Sequence, residues 1–131
     1  MAIVGLGTDI VEISRISQSL SRSPALVKRV LTPAEQAIYH ELAQANADNA
    51  ARYFAKRFAV KEAAAKALGT GIGRGVSFQH FHVSNNSDGA PLLSLSDGAA
   101  QRAAQLGVNH IWLSLSDEQA YAVATVILER Q

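Results

Sequence analysis

Glu62 and Lys66 stand four residues apart in Arg57-Phe-Ala-Val-Lys-Glu-Ala-Ala-Ala-Lys66, and on a helix that spacing puts an acid and an amine one above the other. Phe54 and Phe58 continue the stripe toward the N-terminus. The two charges therefore end an otherwise apolar seam, where charge is costly unless paired or used. The plain reading is a Glu-to-Lys helix pair worth roughly a few tenths of a kcal/mol. A second lone carboxylate, Asp9 in Gly5-Leu-Gly-Thr-Asp9-Ile-Val-Glu12, just after a short apolar strand, offers another. Asp9 and Glu62 suit Mg²⁺, which takes one or two carboxylates and completes its octahedron with water and substrate phosphates.

Other chemistries have weaker support. Gly5-Leu-Gly7 lacks the third glycine of a dinucleotide fingerprint, and Gly69 to Gly75 lacks the Gly-Lys-Ser/Thr ending of a P-loop. A helix cap followed by a loop is the simpler account of Gly69 to Gly75. Of the histidines only His80 and His82 are close together, a strand-spaced pair with no third zinc ligand. Serine is plentiful, yet none carries a local nucleophile signature. The absence of cysteine removes disulfide and thiolate chemistry.

Gly7-Thr8-Asp9 with Glu12, and then Phe58, Lys61, Glu62 and Lys66 followed by Gly69-Thr-Gly-Ile-Gly73, resemble the two signatures of the holo-(acyl-carrier-protein) synthases, the small bacterial 4'-phosphopantetheinyl transferases. An Asp-Gly-x-Pro turn at Asp88 to Pro91 and a closing hairpin extend the likeness over most of the chain. Where the family often has a basic residue in that turn this chain has Ala90, and where it often has a His near the closing hairpin this chain has Asp117. The resemblance implies transfer of phosphopantetheine from coenzyme A to a serine of apo acyl-carrier protein in fatty acid biosynthesis, with release of adenosine 3',5'-bisphosphate. It implies Asp9 and Glu62 as Mg²⁺ ligands, and Lys66 on the pyrophosphate or protonating the departing nucleotide. Gly69 and Arg74 are the further expected coenzyme A contacts. The serine proton goes to Glu62 or to a water on the metal. Glu12 is a further ligand or a first-turn acid favoured by the helix dipole, and Asp117 faces the site or closes a turn. A homotrimer with sites between subunits is implied as well, because larger family members join two similar halves around one site. Two rivals keep the same residues: a silent module that binds carrier protein or coenzyme A, and a metal-dependent pyrophosphatase.

The chain has 131 residues, the length of one domain over 1–131 with its own core. No run approaches a membrane span and no leader pattern opens the sequence, which predicts a soluble, cytoplasmic protein. A net charge of +1 argues against nucleic acid as a partner. The charges are nevertheless segregated. Ile13 to Leu31 and Asn49 to His80 hold ten of the twelve basic residues and one of the eleven acids, which predicts an anionic partner. Arg15, Arg22 and Arg29 are expected to face an acidic acyl-carrier protein.

These residues need elements to hold them. Ala2 to Gly7 reads as a strand. Ile13, Ile16 and Leu20 mark an amphipathic helix broken at Ser23-Pro24, and Thr32-Pro33-Ala34-Glu35 is a capping box opening a helix through Leu42. After a loop at Asn46 to Asn49, with Asp48 as cap, a long helix runs to Leu68 and ends at Gly69. Phe78 to Ser84 and Leu92 to Leu95 read as strands about a turn, Asp97 caps an Ala-rich helix ending at Gly107, and a hairpin closes the chain with its return strand, Tyr121 to Leu128, largely buried. The expected fold is α+β, 4'-phosphopantetheinyl transferase-like, with the long helix packed on a small antiparallel sheet.

Overall fold

The first strand, β1 (Ala2–Glu12), continues past the expected Gly7 through Asp9 to Glu12 in the computed structural model, which describes residues 1–131. Pairing explains the extension. The last strand, β5 (Tyr121–Arg130), runs antiparallel to β1 from Ala2↔Arg130 to Glu12↔Tyr121, with one irregularity between Ile3 and Gly5. Cross-strand hydrogen bonding thus draws polar Thr8, Asp9 and Glu12 into the strand. Asp9 lies within it, not after it.

Helix α1 (Ile13–Arg22) follows at once, burying Ile13 and Leu20 and leaving Arg15 and Arg22 outside. Beyond Pro24 a short helix that apolar spacing did not announce, α2 (Leu26–Val30), is anchored by buried Val27 and Val30. Helix α3 (Pro33–Ala45) opens on the expected capping box: the Thr32 N–H donates to Glu35 Oε1 at 2.9 Å and the Glu35 N–H to Thr32 Oγ1 at 3.4 Å. It outruns Leu42 because Asn46 serves two helices. Asn46 ends α3 and, through Oδ1, accepts the Asn49 N–H at 3.0 Å to cap α4 (Ala47–Ala67). The expected loop is one residue, and Asp48 sits in the first turn of α4.

Helix α4 crosses a three-stranded antiparallel sheet of order β1-β5-β4, where β4 is His110–Asp117. Small residues set how close it comes. Ala59, Ala63, Ala64 and Ala67 pack with Ala124, Val126 and Leu128 of β5 in one core. A Cβ on Gly5 or Gly7 would overlap the carbonyl oxygen of Ala67 or Ala63, so backbone rides directly on backbone there. Leu68 and Gly69, the latter at φ 79°, end the helix as expected.

Strands β2 (Phe81–Asn85) and β3 (Pro91–Leu95) form a separate antiparallel pair, so the α+β architecture carries two sheets where one was expected. Phe78 belongs to a 3-10 turn, Phe78–His80, ahead of β2. Helix α5 (Asp97–Leu106) begins at Asp97 itself, which has φ 50° and is not its cap. In β5 only alternate residues, Ala122 to Leu128, are buried within the chain. Its other face, with Leu6 and Ile10 of β1 and Trp112 of β4, is open. No helix is long and apolar enough to cross a membrane.

Candidate active site

Packing of α4 over the glycines of β1 brings Lys66 to Asp9. Lys66 Nζ donates to Asp9 Oδ1 at 3.1 Å and to the Thr8 carbonyl at 2.9 Å. The ordinary Glu62–Lys66 helix pair does not form, and Glu62 has neither a hydrogen bond nor an ion pair. Burial pushes the Glu62 carboxyl above its ordinary range, the Asp9 carboxylate adds to the effect, and the Lys66 ammonium offsets part of it. Asp9 Oδ2 is buried with no hydrogen-bond partner.

A buried carboxylate oxygen without a partner is costly. The second unpartnered carboxylate, Glu62, lies near enough for Asp9 to act on its charge, and two such hard-oxygen donors suit a divalent cation such as Mg²⁺. No cluster of three His, Cys, Asp or Glu side chains exists to cage a metal. Asp9 and Glu62 could hold one only with water and phosphate oxygens completing its shell. The Lys66 side chain is 51% exposed, against 16% for Asp9, so it stands at the solvent edge of the site.

The other expected residues divide. The Gly69 N–H donates to the Lys66 carbonyl at 2.9 Å, closing the helix turn that carries Lys66. Arg74 is exposed at φ 55° and makes no hydrogen bond or ion pair. Glu12 is on the opposite face of β1 from Asp9, since strand side chains alternate. It accepts from Ser14 and from Tyr121 and lies 3.8 Å from Arg15, without capping α1. It stands at the N-terminus of α1, where the helix dipole favours an acid, and on the other face of the strand from Asp9. Asp117 takes Arg52 at 3.0 Å and Lys56 at 3.7 Å, clasping the closing hairpin to α4.

The cationic segregation therefore needs correction. In the second stretch Arg52 and Lys56 serve Asp117, and Lys66 serves Asp9. Arg57 is buried over the Tyr53 ring and donates to Asn85, and Lys61 is buried against Glu35. Only Arg74 of that stretch is a free surface charge. In the first stretch Arg22, Lys28 and Arg29 are exposed and make no ion pair, while Arg15 leans on Glu12.

Lys61 and Glu35 were missed as a unit. Both signals are in the sequence. The capping box marks Glu35, and Lys61 falls on the same helical stripe as Ala64, Ala65 and Leu68, all buried. A broad groove of about 720 Å³ between Gln18, Asp48, Arg52 and Gln119 does not include Asp9, Glu62 or Lys66. Its one cation, Arg52, is already spent on Asp117 and the Glu118 and Gln119 carbonyls.

Known proteins resemble this chain over nearly its whole length. A family model described as the 4'-phosphopantetheinyl transferase superfamily matches residues 5–126. A holo-[acyl-carrier-protein] synthase of Shewanella baltica is 59% identical over 132 residues, covering 100% of both chains. A crystal structure of holo-[acyl-carrier-protein] synthase from Neisseria meningitidis is similar with a TM-score of 0.87 and 36% identity, over 98% of this chain and 100% of that one. A Bacillus anthracis holo-(acyl-carrier-protein) synthase in complex with CoA (3',5'-ADP) is similar with a TM-score of 0.81 and 36% identity, over 98% of each chain.

Proposed function

The chain belongs to the 4'-phosphopantetheinyl transferase superfamily, and from that premise we propose that Asp9, Glu62 and Lys66 are the groups with which it works. Its reaction moves the 4'-phosphopantetheine group of coenzyme A to a serine of apo acyl-carrier protein, releasing adenosine 3',5'-bisphosphate. The serine oxygen forms a bond to phosphorus, the pyrophosphate P–O bond breaks, and the serine proton leaves. Such displacements need position and charge neutralisation more than a covalent partner.

One observation carries the assignment of residues: the Asp9–Lys66 contact leaves Asp9 Oδ2 buried and free beside an unpartnered Glu62. Asp9 and Glu62 would hold Mg²⁺, which when bound neutralises charge on the phosphates. Glu62, free of hydrogen bonds, is available to receive the serine proton. Lys66, oriented by Asp9 and the Thr8 carbonyl, offers its ammonium to the departing phosphate. Gly69 supports this by fixing the last turn of α4, and Arg74 is the free cation of the following loop.

The open sheet face supports a homotrimer. Leu6 and Ile10 are each 65% exposed and Trp112 is 53% exposed, on one side of a sheet whose other side is covered. An apolar face of this kind is expected against further copies of the chain. The half-exposed Lys66 leaves room for a neighbour to complete the site. Sedimentation should give a trimer, and a fully active monomer would contradict this. A cytoplasmic setting goes with these substrates.

The deciding experiment is mass spectrometry of apo carrier protein incubated with coenzyme A, Mg²⁺ and the enzyme. Gain of one phosphopantetheine arm is expected, with loss of the gain when the metal is chelated. Cleavage of coenzyme A without any gain would indicate a hydrolase, and binding without reaction a silent module.

A further inference from the structure

Lys61 directly precedes Glu62, yet its side chain is completely buried and reaches away from the candidate site. Its ammonium has three N–H donors, and all three are used: on the Val30 carbonyl at 2.7 Å, Glu35 Oε1 at 2.6 Å and the Phe78 carbonyl at 3.2 Å. Glu35 is 2% exposed and just as fully engaged. Oε1 also accepts the Thr32 N–H, and Oε2 accepts the Val83 N–H at 2.8 Å. One ion pair thus ties α2, the start of α3, α4, the 3-10 turn and β2 at a single point.

Stability alone is a poor account of such a pair. Desolvating two charges costs about what their attraction returns, and well-packed apolar replacements are often neutral or stabilising. Direction is what an apolar replacement would not supply. On its sheet side α4 rests on Gly5 and Gly7 through backbone contact, which sets its height above β1. The bonds around Lys61 resist rotation because each has a preferred angle. A turn of about 20° about the axis of α4 would carry a side-chain end, roughly 5–6 Å out, through about 2 Å. An error of that size at a reacting centre costs ~100-fold or more.

We infer that the buried Lys61–Glu35 pair is a positioning device, which fixes the rotation of α4 and so aims Glu62 at the Asp9 side of the site. This rests on the reading of Asp9 and Glu62 as metal-holding groups. Lys61 touches no substrate in this role. It acts through Glu62.

The test replaces the pair with apolar residues, Lys61→Met with Glu35→Leu, and follows Mn²⁺ binding in the presence of coenzyme A by electron paramagnetic resonance, alongside steady-state kinetics and thermal melting. The expected result is a melting midpoint at or above that of the wild type, with Mn²⁺ affinity and kcat each lowered roughly 10–100-fold and the coenzyme A KM within about twofold. Wild-type Mn²⁺ affinity and kcat in the folded double variant would overturn the inference. If the double variant does not fold, Glu35→Gln, which nearly conserves shape, takes its place with the same expectation for metal and kcat. Failure of both to fold would also overturn it, since the pair would then be a requirement of the fold. Glu62→Gln in the same titration separates the two readings. If Glu62→Gln binds Mn²⁺ like the wild type, the metal assignment itself is wrong; if it loses Mn²⁺ while the Lys61 and Glu35 variants keep it, only the positioning role fails.

Discussion

Lys66 Nζ sits 3.1 Å from Asp9 Oδ1, a contact between residues 57 positions apart, although Glu62 lies one helical turn away on its own helix. The amine spans the strand–helix boundary and leaves one oxygen of Asp9 and the whole Glu62 carboxylate without partners. A local helix pair would have left Asp9 uncompensated. The tertiary pair instead leaves a candidate site with one free oxygen on Asp9, an unpartnered Glu62 carboxylate and one anchored cation.

Asp9→Asn and Glu62→Gln nearly conserve shape and remove only charge. Each should lower kcat/KM about 100-fold or more while circular dichroism and melting stay close to wild type. Near-normal turnover of either variant at limiting Mg²⁺ would refute the two-carboxylate assignment.

For Lys66 the informative quantity is a split between binding and turnover. An ammonium acting on charge that develops as the P–O bond breaks contributes more to the transition state than to the ground state. Lys66→Ala should therefore reduce kcat roughly tenfold to a hundredfold or more with a smaller rise in coenzyme A KM. An effect confined to KM would make it a binding group.

Glu62 also predicts how stability depends on pH. Without metal its folded carboxyl holds a proton above the ordinary value of 4.5. As pH rises past that value the unfolded chain has released a proton that the folded chain still binds, so stability falls through the window up to the raised folded value. Glu62→Gln should flatten that decline and melt no lower than wild type at about pH 7. If Glu62 holds Mg²⁺ together with coenzyme A, the metal competes with this proton, and the melting shift should then grow as pH rises above 4.5. A steeper decline in Glu62→Gln would contradict the sign.

Gly7 tests the packing beneath the site. An alanine there would drive its Cβ into the Ala63 carbonyl on α4, a contact with backbone that no side-chain rotation relieves. Gly7→Ala should cost ~4 kcal/mol or more, or prevent folding, measured by denaturant unfolding. Mild destabilisation with normal activity would mean that α4 can lift off β1 freely.

Asp9, Glu62 and Lys66 are legible in the sequence because each interrupts an apolar or alanine-rich run at a spacing that has a physical meaning. The helices are legible through their punctuation, as at Thr32–Glu35 and Gly69. What escaped was set by partners distant in sequence. β1 extends to Glu12 because Tyr121 to Arg130 pairs with it. The basic residues between Arg52 and Lys66 look like a surface patch until Asp117, Glu35 and Asp9 arrive from elsewhere. Tyr121 to Leu128 reads as a largely buried strand, and within one chain the residues that are fully buried alternate along it.

In the first cationic stretch most of the charges have no partner within the chain. Arg22 and Arg29 are exposed and make no ion pair, whereas Arg15, with a side chain 83% exposed, lies 3.8 Å from Glu12. Acyl-carrier proteins of the pathway that the family resemblance implies are acidic. A basic outer face on α1 and α2 would steer such a protein by raising its encounter rate, an effect that salt screens. Arg22→Glu and Arg29→Glu should raise the carrier-protein KM about tenfold at low salt and leave the coenzyme A KM nearly unchanged. Arg15→Glu places two acids side by side at Glu12, yet it removes a charge already partly compensated, so its effect should be the smallest of the three. Wild-type affinity for carrier protein should fall as salt rises, and the charge-reversed variants should lose less. Unchanged carrier-protein kinetics, or dissociation of the proposed trimer in place of a KM effect, would assign these arginines to solvent or to a subunit contact.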